Sequence, residues 1–246
     1  MEVTIDDLRG IERAHVKAWP AFETARIDGW LWRYSGGGSQ RANSVSTLHF
    51  TGSDPVASLD AVETRYRAKG MPARLHTFDL SAPANLAALL DARGYGQGDA
   101  TLTMVKPVAP GKSPADVAIE ERATPPWYEV YLGAITENRR AVNAKILETI
   151  PRPCAFFTCR RDTVISTALG VVDRKFAVVE CVATRSDFRR GGGARAVLAA
   201  LECWAGEQGA RLLGLQVDAA NEPALALYRS LGFVAVATNR FWVRLW

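Results

Sequence analysis

Histidine and cysteine are scarce in this chain of 246 residues, which contains three His and four Cys. No histidine follows His76, and the four cysteines, Cys154, Cys159, Cys181 and Cys203, show no CxxC spacing. This distribution argues against a zinc site, and it leaves the second half of the chain without a histidine for a protease-like triad. We therefore expect four thiols of the protein core and no bound metal.

Long apolar runs are also absent, because no segment reaches the roughly 18 residues that a membrane span needs. The acidic start at residues 1–7 lacks the basic and apolar regions of a signal peptide. A composition of 48% hydrophobic and 23% charged residues is typical of globular proteins and excludes wholesale disorder. We expect a cytoplasmic protein without a membrane partner.

The excess of positive charge is small, since 30 Lys and Arg face 26 Asp and Glu for a net charge of +4. Nucleic-acid binding usually leaves a longer basic stripe interleaved with aromatic residues, so no nucleic-acid partner is expected. The charge is concentrated locally at Arg185, Arg189, Arg190 and Arg195. A cluster of this kind suits a compact polyanion such as a pyrophosphate.

The chain divides at residues 108–116, where Pro110, Gly111 and Pro114 indicate a linker between residues 1–107 and residues 117–246. The two parts repeat one pattern: a helix stopped by Gly70 or Gly209, a short strand (74–78 or 212–217), a helix, and a closing strand (101–105 or 240–244). Upstream, the second part predicts one helix over 127–149 and strands over 155–159, 167–172 and 176–184. The pattern predicts an α/β (α+β) fold of two similar mixed-sheet units; two unrelated α/β units are the alternative.

The most informative segment is a β-branched strand at 178–184 that runs into an Arg- and Gly-rich loop and then directly into a helix. Free backbone N–H groups and the positive end of the helix dipole make such a junction an anion site. Gly191, Gly192 and Gly193 let a phosphate approach the backbone without a clash with Cβ. The segment matches neither the Walker A nor the GxGxxG pattern. The alternative is a surface loop that caps a helix.

The pattern Arg-x-x-Gly-x-Ala at Arg189, Gly192 and Ala194, followed by Ala-Leu-Tyr-x-x-Leu-Gly-Phe at residues 226–233, resembles the GNAT acetyltransferase superfamily. The resemblance is specific over 155–244 and extends to about 117–246. Residues 1–107 look like a degenerate copy, so the resemblance implies two GNAT-like units in tandem, of which the C-terminal one is complete.

The resemblance implies acetyl-CoA, or a related acyl-CoA, as the donor and a primary amine as the acceptor, which attacks directly in a ternary complex. Val182 and Ala183 would contact the pantetheine arm and the acyl carbonyl through their backbones, where the strand splays from its neighbour. The residues that would cradle the pyrophosphate are Arg189, Arg190, Gly191, Gly192, Gly193 and Ala194.

Three side chains have a candidate role near the donor. By the same resemblance, Tyr228 stands where the family has its general acid, and Asn221 where it often has an asparagine near the cofactor arm. Strand alternation places Glu180 on the side of Val182, which makes Glu180 a candidate general base, and places Cys181 on the opposite face as a core residue. The alternatives are a core aromatic for Tyr228, a helix N-cap for Asn221 and a buried ion pair with an arginine for Glu180.

The first part departs from the family pattern at two positions. Asp54 and Pro55 occupy the place of the phosphate loop, where we expect an N-cap followed by the first helical residue. Leu90 stands where the second part has Tyr228. We therefore expect that residues 1–107 do not bind CoA and instead shape the acceptor pocket or stabilise the pair of units.

The acceptor itself is not encoded by a motif, and the oligomeric state is open as well. A possible acceptor-side cluster is formed by Trp19, Trp30, Trp32, Arg33, Arg41 and Asn43, although Trp and Arg pack structurally just as often. Residues 35–39 predict a flexible hairpin loop, because no helix follows them. A non-catalytic acyl-CoA-binding module, or an unrelated nucleotide-binding α/β protein, would be the alternative functions.

Overall fold

The structure is a computed structural model that describes residues 3–246, so that the first two residues of the acidic start lie outside it. Over this range the chain forms a single mixed sheet with helices on its faces. The helices are α1 (Ile5–Ala18), α2 (Pro55–Ala68), α3 (Leu86–Ala92), α4 (Pro125–Gly133), α5 (Glu137–Leu147), α6 (Gly193–Glu207) and α7 (Glu222–Ser230). The strands are β1 (Glu23–Ile27), β2 (Trp30–Tyr34), β3 (Val45–Ser46), β4 (Ala73–Phe78), β5 (Gly96–Gln97), β6 (Thr101–Pro107), β7 (Val117–Glu120), β8 (Cys154–Arg160), β9 (Val164–Asp173), β10 (Phe176–Thr184), β11 (Leu212–Asp218) and β12 (Val234–Arg244).

The two halves exchange their closing strands. The sheet order is β1-β2-β3-β4-β12-β6-β11-β10-β9-β8-β7. Strand β12, which closes the second half, pairs antiparallel with β4 of the first half, and β6, which closes the first half, pairs antiparallel with β11 of the second. The two exchanged strands also pair with each other at the centre of the sheet. The predicted α/β class is confirmed, and the sheet is continuous across the halves; the domain boundaries at 107 and 117 stay a prediction.

The N-termini of α2 and α1 are capped by side chains of their local sequence. The Asp54 side chain accepts hydrogen bonds from the backbone N–H groups of Val56 and Ala57, at 2.9 and 3.1 Å, and Pro55 is the first residue of α2. This is the N-cap that the sequence predicts. Thr4 and Asp7 form a reciprocal capping box at the start of α1.

The prediction of one helix over 127–149 is wrong, because the helix is interrupted between the end of α4 and the start of α5. Thr136 takes an extended conformation, with φ −64° and ψ 147°, and its hydroxyl donates to Asn138 at 2.8 Å. A threonine competes with the helix through such local hydrogen bonds. Apolar residues recur at near-helical spacing in both helices, so the sequence pattern alone does not reveal the interruption between them.

Helix α1 of the first half covers the sheet of the second half. Ile11 and Ala14 of α1 lie in one buried cluster with Phe176 and Val178 of β10. The opposite face of β10 packs under α6, where Val197 and Leu201 are fully buried. The second half therefore completes its core with a helix from the first.

All four cysteines are free thiols; Cys154 and Cys159 are buried, whereas Cys181 and Cys203 are half-buried. Within residues 3–246, no helix is both long and apolar enough to cross a bilayer. In that range, no three His, Cys, Asp or Glu side chains are grouped as they would be around a metal ion.

Candidate active site

The parallel strands β10 and β11 diverge in the middle of the sheet. They pair only from Phe176 with Leu212 to Val179 with Leu215, although β10 continues to Thr184 and β11 to Asp218. Beyond Val179, β10 keeps its hydrogen bonds to β9 but has no strand on its other side within the described chain. We call this opening, between residues 180–184 of β10 and residues 216–218 of β11, the fork. Backbone groups that face it are free for a ligand.

A β-bulge in the fork changes which side chains share a face. The pairing of β10 with β9 shifts between Glu180 and Ala183, and Cys181 has a φ of +55°. As a result Val182 packs with the cluster under α6, whereas Cys181 and Ala183 pack with the cluster under α1. The prediction that Glu180 and Val182 share a face is wrong, because the extra residue of a bulge interrupts the two-residue alternation. Burial raises the pKa of the Cys181 thiol, in keeping with a core role.

The Arg- and Gly-rich loop ends in an uncapped helix N-terminus. Gly192 adopts a φ of +85° in open space, and no side chain caps α6, which begins at Gly193. The first hydrogen bond inside the helix runs from the Ala196 N–H to the Gly192 carbonyl, so the N–H groups of the preceding three residues are free of helical partners. Gly193 is required by packing as well, since a Cβ there would lie 2.4 Å from Ser166 Oγ. Arg189 and Arg190 are exposed beside these donors.

Tyr228 of α7 is 8% exposed and meets Phe233 in a T-shaped contact at 5.9 Å. Burial, with a smaller contribution from the Glu180 carboxylate, raises the pKa of its phenol to about 12. No hydrogen bond within residues 3–246 engages the hydroxyl. The phenol is therefore protonated at neutral pH and free to donate to a ligand.

Asn221 caps α7. Its Oδ1 accepts a hydrogen bond from the Ala224 N–H at 3.2 Å, and the residue is exposed. The N-cap alternative for this residue is confirmed, and its contact with the cofactor arm stays a prediction.

Glu180 forms the buried ion pair that the sequence left open as an alternative. Arg41 binds its two carboxylate oxygens at 2.7 and 2.6 Å, and the His15 Nδ1 lies 3.0 Å from Oε1. Burial alone would raise the pKa of Glu180, but the Arg41 guanidinium and the contact with His15 hold it at about 2. Trp19 supports the guanidinium through a cation–π contact at 5.0 Å. The geometry thus gives no support to Glu180 as the general base, since a carboxylate with this pKa accepts a proton poorly at neutral pH.

His15 is a site residue that the sequence analysis missed. It lies on α1, 165 residues before Glu180 in the chain, and is 3% exposed. No motif surrounds it, and only the packing of α1 across the second half brings it to the fork.

A cavity of about 590 Å³ opens at the fork, between the two halves, and we call it the central cavity. Glu180 and Gln216 line it from the two diverging strands, and residues 37–41 line it from the first half. Tyr228 belongs to the cluster under α6, whereas Glu180 contacts α1 through His15. Tyr228 and Glu180 therefore lie towards opposite faces of the sheet.

Of the six residues of the possible acceptor-side cluster, three line the central cavity, and whether they contact an acceptor stays a prediction. Trp19, Arg41 and Asn43 line the central cavity. Trp30 and Trp32 are core residues of the first half, and Trp32 packs against Tyr66 at a ring distance of 5.3 Å. Neither side chain lines the central cavity, because α2 and the adjoining strands bury both of them.

Arg33 also does not line the central cavity. It is buried and donates from Nε to the Ser44 carbonyl at 3.1 Å. The glycine loop at 35–39 is not free, since the Asn43 side chain accepts from the N–H groups of Ser35 and Gly37 and donates to the carbonyls of Gly37 and Ser39. This network fixes one wall of the central cavity.

Further lining residues escaped sequence reasoning, because they come from elements that only the strand exchange and the helix break bring together. They are Arg74 and His76 of β4, Arg139 of α5, Gln216 of β11, and Asn239 and Phe241 of β12.

Comparisons with known proteins agree with this geometry. Residues 5–242 match the family described as probable histone acetyltransferase Rv0428c C-terminal. The chain is 27% identical over 252 residues to the uncharacterized N-acetyltransferase YobR of Bacillus subtilis (strain 168), a similarity that covers 98% of this chain and 100% of that protein.

Among solved structures, a GCN5-related N-acetyltransferase from Kribbella flavida superimposes with a TM-score of 0.68 at 17% identity, covering 96% of this chain and 91% of that one. A tandem GNAT protein from the clavulanic acid biosynthesis pathway superimposes with a TM-score of 0.65 at 14% identity, covering 99% and 96%. At these identities the likeness concerns the fold.

Proposed function

This chain belongs to the GNAT superfamily of N-acetyltransferases, and on that premise we propose that it moves an acetyl group from acetyl-CoA to a primary amine in a ternary complex. The observation that carries the proposal is the fork, because an uncapped helix N-terminus and a free buried phenol stand on one side of it and a cavity opens on the other. The alternative function is that of a non-catalytic acyl-CoA-binding module. In that case the loop would still bind acyl-CoA, but no acetyl group would be transferred.

The residues at the start of α6 fit a pyrophosphate. Free N–H groups at a helix N-terminus, two exposed arginines and a glycine with open space around it form a cradle for an anion. We place Arg189, Arg190, Gly191, Gly192, Gly193 and Ala194 in this role. We place the backbones of Val182 and Ala183 beside the pantetheine arm, because β10 pairs with β9 there but no longer with β11.

For the chemical step, Tyr228 is the general acid. The amine nitrogen attacks the thioester carbonyl carbon, the carbon–sulfur bond breaks, and the departing thiolate takes the phenol proton of Tyr228. The amine attacks in its neutral form, the proton that it then loses passes to solvent, and solvent returns a proton to the Tyr228 phenolate. Glu180 is assigned a positioning role instead of that of a base, because its two oxygens hold Arg41 and His15.

The two parts of the chain have different roles. Residues 117–246 carry the donor site, and residues 1–107 supply a wall of the acceptor cavity and the helix α1 that closes the core. No CoA binds in the first part, because Asp54 already occupies the free N–H groups of α2 and presents a negative charge there.

Arg189→Glu is expected to raise the Kd for acetyl-CoA tenfold or more. A charge-assisted hydrogen bond to an anion contributes about 1.5–3 kcal/mol, and the substitution also introduces repulsion. Isothermal titration calorimetry measures the effect. Gly192→Asp should act in the same direction.

The matched control is Arg140→Glu, which places the same charge on an exposed arginine of α5 that lines no described cavity. It should leave the Kd for acetyl-CoA within about twofold. An unchanged affinity in a folded Arg189→Glu protein would reject the assignment of the loop.

Calorimetry is also expected to give one acetyl-CoA per chain, although the fold is repeated. The single site should weaken in Arg189→Glu, which locates it in the second half. Two equivalent sites would contradict the proposed division of work, and a single site indifferent to Arg189→Glu would place it elsewhere.

A further inference from the structure

The central cavity has an uneven charge once its internal ion pair is set aside. Its charged lining residues are Arg41, Arg74, Arg139, Glu180 and Asp218. Arg41 and Glu180 neutralise each other through their two short contacts. This leaves two arginines against one carboxylate, that of Asp218, which also accepts a hydrogen bond from the Ala220 N–H at 2.8 Å.

Arg74 is the more unusual of these arginines. It is half-buried on β4, donates from Nη1 to the Asn43 carbonyl at 3.2 Å, and has a buried Nε without a hydrogen-bond partner. No carboxylate lies within 4.0 Å of its guanidinium among residues 3–246. A partly desolvated cation without a counter-ion is costly, and an oxyanion bound beside it would offset the cost.

Arg139 adds a second guanidinium from another side. It stands in the first turn of α5, is exposed, and forms no salt bridge within the described chain. His76 adds no positive charge to that of the two arginines, because burial lowers its pKa to about 3, and its ring stacks on Phe241 at 4.3 Å. The cavity wall that β4 and β12 form beside Arg74 is thus neutral and aromatic.

We propose that the acceptor amine carries an anionic group, a carboxylate or a phosphate, which Arg74 and Arg139 bind while the amine reaches the fork. The inference rests on the proposed function and names the class of its acceptor. Guanidinium groups pair with either oxyanion through two parallel hydrogen bonds. A volume of about 590 Å³ accommodates a small molecule of this kind. Polyamines and lysine-rich peptides are disfavoured, since their charges would repel both arginines.

The first experiment measures release of free CoA thiol with matched acceptors: amino acids against their carboxamides, phosphoethanolamine against ethanolamine, and spermidine as a polycation. At least one anionic acceptor should exceed its neutral match tenfold or more in kcat/KM. The pair that responds distinguishes carboxylate from phosphate. Equal or better turnover of the neutral matches or of spermidine would overturn the inference and leave the proposed function standing.

The second experiment tests the arginines. Arg74→Gln should raise the KM of the preferred anionic acceptor tenfold or more and leave the KM of its neutral match and of acetyl-CoA within about twofold. Arg139→Gln, at an exposed position that tolerates substitution, should raise the same KM threefold or more. The neighbouring Arg140→Gln is the matched control. Equal effects on the anionic and the neutral acceptor would refute the assignment.

Binding separates this inference from the proposed function. Calorimetric titration of the same acceptors into the protein saturated with CoA, which has no acetyl group to transfer, reports affinity without turnover. Tighter binding of an anionic acceptor, lost in Arg74→Gln, would support the inference even if no acetyl transfer were detected. Absence of any preference for the anionic acceptor in this titration would contradict it.

Discussion

Tyr228→Phe is expected to lower kcat for acetyl transfer roughly 10²-fold, or about 2.7 kcal/mol of transition-state stabilisation, and to leave the Kd for acetyl-CoA within about twofold. The ring of Tyr228 packs against Phe233, and phenylalanine keeps this contact, whereas only the proton is lost. The hydroxyl has no partner in the described chain, so its removal leaves no buried group unpaired. Steady-state thiol release and calorimetry measure the two quantities.

Tyr34→Phe is the matched control, because it removes a phenol from a half-buried tyrosine of β2 that packs on the core of the first half and lines no described cavity. It should leave kcat within about twofold. Normal turnover in Tyr228→Phe would return this residue to the core-aromatic alternative, and absence of turnover in the unmodified protein with every amine would favour the non-catalytic alternative.

Arg41→Met is expected to lower the free energy of unfolding at pH 7 by roughly 3 kcal/mol, at the lower end for loss of one partner of a buried ion pair because His15 remains. The substitution leaves Glu180, which is 7% exposed, without its guanidinium. Urea unfolding at pH 7 measures the loss.

The same variant should reverse the pH dependence that Glu180 contributes. In the unmodified protein its folded pKa, about 2, lies below its ordinary value of 4.5, so its stabilisation is present above 4.5 and is lost as the pH falls towards 2. Without Arg41, burial is opposed only by the contact with His15, so we expect the folded pKa to lie above 4.5 and stability to be lost as the pH rises through it. The deficit of Arg41→Met should therefore be smaller at pH 5 than at pH 7.

The double variant Arg41→Met with Glu180→Gln is the control, since it removes both charges and keeps the shape of the Glu180 side chain. It should recover most of the stability at pH 7 and show no such pH dependence. A double variant as unstable as Arg41→Met would mean that the guanidinium acts through packing on Trp19 and not through its charge.

Much of the local structure of this protein is determined by the sequence itself. The structures formed at helix caps, at glycines and in β-branched segments depend on neighbouring residues only. The N-cap at Asp54, the helix start at Gly193 and the strand at Phe176–Thr184 could therefore all be predicted. Most residues of the proposed donor side lie within one such strand–loop–helix segment, whereas Asn221 and Tyr228 belong to α7 and its N-cap. The residues of that segment were therefore predictable as a set, although their roles stay a proposal.

The central cavity, where we propose that the acceptor binds, was decided only by the tertiary structure. Exchange of β6 and β12 and the packing of α1 across the second half bring Arg41 and His15 to Glu180, and no local signal encodes contacts over such distances in the chain. The bulge at Cys181 altered the face of Val182, because the alternation of a strand holds only while its pairing is regular. Trp32 lies in the core instead of the central cavity for a related reason: a sequence marks a side chain as apolar, but the elements packed around it decide whether it is covered.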